Sequence, residues 1–146
     1  MPRGATVVAA GRALLFLLSL TLSACSKDAS ASLTAITSWT GTVRLAGESW
    51  AADLVPTPYT RRTFEAAEEG IAEAGKDLAK ADDLPRADRD ALAKETGELR
   101  RAVAAAREAV AGKDRGALTS ALARVADGER RLRARESGGG GGAGGR

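Results

Sequence analysis

The chain contains no histidine and one cysteine, Cys25, and these two facts remove most of the usual catalytic chemistry. Without imidazole, no Ser-His or Cys-His pair of the familiar kind can be assembled. One thiol with no histidine makes neither a zinc site nor an intrachain disulfide. The glycine run at 138–142 precedes no helix and no lysine–threonine pair, so it is not a phosphate-cradling loop. Carboxylates are plentiful, but they have basic neighbours three or four residues away: Asp77 with Lys80, Asp90 with Lys94, Asp127 with Arg131. Such spacing predicts surface pairs worth a few tenths of a kcal/mol each. Glu65, Glu68, Glu69 and Glu73 are expected to form a solvated face; as a hard-cation site they lack the loop carbonyls that complete a shell. Arg130, Arg131, Arg133 and Arg135 fit the negative end of a helix, the competing role being contact with anionic lipid or wall polymer. These residues point to a protein that is not an enzyme and takes no metal or cofactor.

Cys25 has a different use. It closes Leu22-Ser23-Ala24-Cys25, at the end of an apolar run from Ala13, and Arg3 and Arg12 are the only charges before it. A charged n-region followed by a short apolar stretch has the layout of a secretory signal, and the stretch falls well short of the roughly 20 residues that span a bilayer. A small residue directly before a cysteine resembles the lipobox of bacterial lipoproteins; the resemblance covers residues 1 to about 28. It implies that the Cys25 thiol receives a diacylglyceryl group, that palmitate-type acylation follows, and that a peptidase cuts before Cys25. The implied address is extracytoplasmic and lipid-anchored, at the cell membrane or the outer membrane. Ser26 resembles the outer-membrane sorting pattern of hosts with two membranes. The helical lipoprotein that staples membrane to peptidoglycan uses a C-terminal lysine, whereas this sequence reads Gly144-Gly145-Arg146 there.

Removing residues 1–24 leaves 122, a length that suits one domain. Of 22 basic residues, Arg3 and Arg12 leave with the signal, so 20 face 19 acidic ones in the mature part. That balance argues against nucleic acid as a partner. Aromatic residues number five, alanine is abundant, and Ala, Leu, Glu, Lys and Arg dominate after Thr63, all strong helix formers. The expected fold is all-α.

Periodicity predicts four helices. The first spans about 32–54, with Ile36, Trp39, Val43, Ala46, Trp50 and Leu54 on one face. Val55-Pro56-Thr57-Pro58 interrupts it, and Thr57 is the expected N-cap with Pro58 at the first helical position. The second runs to about 82 through Phe64, Ala67, Ile71, Ala74, Leu78 and Ala81. The third, 85–111, carries Leu92, Thr96, Leu99, Val103, Ala106 and Val110, places Arg107 on its exposed side, and is expected to stop at Gly112 in the left-handed conformation. Asp114 is expected to cap a fourth, with Leu118, Leu122, Val125 and Leu132, ending near 136. Short connections force neighbours antiparallel, which predicts an up-down bundle of three to four helices. The organisation expected is a signal peptide at 1–24, a lipidated tether at 25–31, a helical domain at 32–136 and a disordered glycine-rich tail at 137–146.

Trp39 and Trp50 stand three turns apart and face the same way. Core packing is the favoured role, the bilayer interface the alternative. For function, the sequence supports a non-catalytic envelope lipoprotein whose partners are the membrane, through its lipid, and an envelope protein, through a helical face. The competing reading is a small-ligand or ion carrier with a cavity inside the bundle.

Overall fold

The computed structural model describes residues 29–139, and the sequence features at 1–28 (Cys25 and the lipobox included) and at 140–146 lie outside the described residues. Four helices follow one another: α1 Ala29–Ala51, α2 Thr57–Leu78, α3 Arg86–Ala111 and α4 Arg115–Gly139. At 1.5 Å per residue they are about 33–39 Å long. Each packs on the next and α4 returns to α1, so the chain forms an up-down ring in which the α1–α4 seam is thinnest. Among the described residues no helix is long and apolar enough to cross a membrane.

The seams expected on α2 and α3 are buried in full, including Ala81, which stays inside although it lies beyond the last turn of α2. It is held there by the seven-residue connection 79–85, whose Ala81 carbonyl accepts a hydrogen bond from Arg89 at 3.2 Å. Phe64, Ile71, Leu99 and Val103 share one core cluster with Ile36, Val43 and Leu118, each almost fully buried. Threonines in the seams cost little. Thr40, Thr60 and Thr96 are buried, and each hydroxyl donates to a carbonyl three or four residues back at 2.8–3.3 Å, which leaves the methyl group free to pack.

Alanine and glycine let these helices approach closely, and every seam of the ring has its own notch. The Trp39 indole from α1 lies over Gly70 of α2; Thr96 of α3 meets Gly75 of α2. Leu99 of α3 sits against Gly128 of α4, and Leu122 of α4 fills the space above Gly47 of α1. Trp50 is 8% exposed, while Trp39 is half-buried against the core. Both therefore pack within the bundle, and α1 is one of its four members.

Several boundaries differ from expectation. α1 begins at Ala29, within the expected tether, and ends at Ala51 rather than 54, leaving Leu54 76% exposed. Thr57 is not an N-cap: α2 starts at Thr57 with Pro56 before it in extended geometry, and no side chain caps the end. The Thr57 hydroxyl instead accepts the Trp50 indole N–H at 2.9 Å. α2 ends at Leu78, four residues early. Gly112 keeps right-handed geometry (φ −79°, ψ −2°), and the left-handed residue is Lys113. α4 continues to Gly139, into the expected tail.

Candidate functional site

The four helices have two ends. One gathers the start of α1, the 79–85 connection and the end of α4. The other, called the tip below, gathers the 52–56 and 112–114 connections with the starts of α2 and α4. The tip is where the local structure departs furthest from what the helices alone would select.

Both helices that finish at the tip end in the same way. The Leu54 N–H donates to the Ser49 carbonyl at 2.9 Å and the Asp53 N–H to Trp50 at 3.0 Å. The Asp114 N–H donates to Ala109 at 2.8 Å and the Lys113 N–H to Val110 at 3.2 Å. These are paired Schellman closures, and each requires a left-handed residue, normally glycine. Here the residues are Asp53 (φ 58°) and Lys113 (φ 55°). A side chain in that conformation costs about 1–2 kcal/mol, less for Asp, which tolerates it better than most residues. They are the only non-glycine residues with positive φ among the described residues.

The two closures are tied to each other. Arg115, the first residue of α4, donates to both carboxylate oxygens of Asp53, at 2.6 and 2.8 Å. Asp114 caps α4 as expected, its Oδ1 accepting the Ala117 N–H at 2.8 Å. Trp50 and Thr57 bridge the first connection from below. Between the connections lies an open groove of about 630 Å³, lined by residues that include Trp50, Leu54, Val55, Pro56, Lys113 and Arg115. Leu54 in the first connection and Tyr59 on the first turn of α2 stand exposed, at 76% and 59%. The third large exposed apolar residue, Leu45, stands on α1.

The sequence pattern missed this site because it assigned the turn to glycine. Gly112 drew the stop one residue too early, and Asp53 was read as part of α1. Asp is among the few residues that visit the left-handed region readily, and Pro56 three residues later is a common sequel to a helix end; together they were the available signal.

The charge clusters singled out in the sequence are spread differently. Arg107, expected on an open face, is half-buried between α2 and α3, with Glu68 at 3.4 Å, Glu65 at 3.8 Å and Glu108 at 3.4 Å. The Glu68 side chain is 19% exposed. Burial raises its pKa above the usual carboxylate value, against the opposing pull of Arg107 and Arg100. Glu73 faces Lys76, and among the described residues no group of three or more ligating side chains is arranged for a metal ion. Asp90 pairs with Arg86 rather than Lys94, and Asp127 with Arg130 rather than Arg131.

The arginines near the end of α4 are all engaged. Arg131 reaches Glu98 at 3.3 Å and Arg135 reaches Glu95 at 2.7 Å, both on α3, while Arg130 and Arg133 pair within α4. Glu95 is 8% exposed, and its second oxygen has no hydrogen-bond partner. A second open groove, about 450 Å³, runs between α3 and α4 beside Glu98, Arg101, Arg124 and Asp127. Both grooves lie on the surface, outside the packed axis.

Comparison with protein-family models, curated proteins and solved structures finds no match.

Proposed function

We propose that this protein is a lipid-anchored, non-catalytic component of a bacterial envelope that binds a protein partner through its tip. The anchor part of the reading comes from Leu22-Ser23-Ala24-Cys25 and its resemblance to a lipobox. Three residues separate Cys25 from Ala29, where α1 begins, a reach of four residue steps or at most about 14 Å. The lipid and the start of α1 then belong to one end, and the tip is carried roughly 35 Å further out by the length of α1.

The observation that supports a binding role is the combination at the tip: two non-glycine left-handed closures, tied by Arg115 and Asp53, with Leu54 and Tyr59 exposed beside them. Backbone strain of this kind is retained where the surrounding structure serves something other than stability. Elsewhere on the bundle, Arg107 and Arg131 are occupied by ion pairs with Glu68 and Glu98.

Two measurements test the proposal in a bacterial host. Labelling with radioactive palmitate should mark the natural chain and not Cys25→Ala, which should also escape cleavage before residue 25; equal labelling removes the anchor. Photoreactive benzoylphenylalanine in place of Tyr59 should form protein adducts in intact envelopes, whereas the same group in place of Ala87 on α3, at the other end, should not. Adducts from position 87 alone would overturn the assignment of the tip.

A further inference from the structure

The tip carries more positive charge than its helices call for. α2 and α4 both begin there, and neither has an acidic residue in its first turn, although acids stabilise that end of a helix and bases oppose it. Arg61 and Arg62 follow Tyr59 on α2 and are exposed; Lys113 and Arg115 flank the start of α4.

The nearby carboxylates are already in use. Asp53 is held by Arg115, Asp114 caps α4, and Glu65, one turn beyond Arg61, faces Arg107. Arg61, Arg62 and Lys113 therefore remain without an ion pair among the described residues. Lys113 lines the groove together with Leu54, and on α2 the exposed Tyr59 stands one turn before Arg62 on the same face.

We propose that the tip docks an acidic segment of its partner, with carboxylates against Arg61, Arg62 and Lys113 and apolar side chains against Leu54 and Tyr59. This rests on the protein-binding reading above and specifies the chemistry of the partner. Charge opposite to the three free cations gives steering and register, and the apolar pair gives contact area. A groove of about 630 Å³ suits a few side chains of an extended segment. Anionic lipid shares the charge, but the anchor belongs to the opposite end of the bundle, so the acidic protein segment is the occupant argued for.

The test uses the full-length protein purified in detergent and a fluorescent peptide of alternating glutamate and leucine. Its glutamine counterpart and phosphatidylglycerol vesicles serve as the other two arms. Anisotropy should report binding of the glutamate peptide that weakens about tenfold in Arg61→Glu/Arg62→Glu and weakens likewise as salt is raised. Leu54→Ser should weaken it several-fold, with circular dichroism unchanged because the side chain is exposed. Glutamine peptide bound as tightly as glutamate peptide would overturn the proposal, as would indifference to charge reversal or tip-dependent binding of vesicles alone. Photo-adducts from position 59 that persist in Arg61→Glu/Arg62→Glu would overturn the acidic segment while leaving the protein-binding reading in place. Loss of those adducts on charge reversal, with the glutamate peptide bound, supports both.

Discussion

Gly70→Ala tests the packing most directly, because two physical effects of opposite sign compete there. Gly70 lies in the interior of α2, where alanine is favoured over glycine by about 1 kcal/mol on helix propensity. Propensity alone therefore predicts a more stable protein. The structure predicts the reverse. A β-carbon at position 70 would overlap the Trp39 indole, with Cδ1 at 2.8 Å and both Nε1 and Cε2 nearer still. An indole cannot shrink, so either the ring swings out or α1 and α2 move apart. If about 100 Å² of apolar surface returns to water at ~25 cal/mol per Å², the loss is about 2.5 kcal/mol, within the usual range for overpacking. Subtracting the propensity gain leaves a net destabilisation of about 1–2 kcal/mol. Gly41→Ala is the control, since a β-carbon there meets nothing within 4 Å, and it should stabilise by about 0.5–1 kcal/mol. Urea unfolding of the chain beginning at Ser26, followed by circular dichroism and tryptophan emission, measures both. Gly70→Ala should also shift the emission to the red, and in a Trp39→Ala background it should become stabilising. Equal stabilisation by the two alanines would refute the close approach of α1 and α2 at Trp39.

Three further outcomes follow from the same structure. Lys113→Gly should raise stability by about 0.5–1 kcal/mol in urea unfolding, because glycine removes the left-handed penalty at φ 55° faster than it adds unfolded-state entropy. Leu99→Ala should cost about 2–5 kcal/mol by the same measurement, since Leu99 is almost fully buried and its Cδ1 lies against Gly128. Glu68 binds its proton more tightly folded than unfolded, so its contribution is present at low pH and lost as pH rises from the ordinary carboxyl value through its raised value. Glu68→Gln should remove that fall, giving a flatter stability–pH curve and a gain near neutrality, read from unfolding midpoints between about pH 4 and 7.

The sequence alone determined the class and number of helices. On α2 and α3 the apolar residues recur at three and four without interruption, which admits only one buried stripe, and Phe64 to Ala81 and Leu92 to Val110 lie where that period puts them. Asp114 was legible for the same local reason, since a cap depends on its own side chain and a backbone N–H three residues on. The tertiary structure decided what depends on residues distant in the chain. Leu54 fits the period of α1 but is exposed, because the Schellman closure at Asp53 ends the helix before its turn is made. Arg107, expected on the exposed side, stands four residues after Val103 and so borders the buried stripe, and α2 brings Glu65 and Glu68 against it across some forty residues of sequence. The tip has only a faint local signature, Asp53 followed three residues later by Pro56. Its defining link, Arg115 to Asp53, joins residues 62 apart, and it forms only when the ring of helices closes and brings the end of α1 beside the start of α4. Helical period is a property of neighbouring residues, so the sequence displays it. The pairing of helix ends depends on how the bundle closes, and only folding determines that.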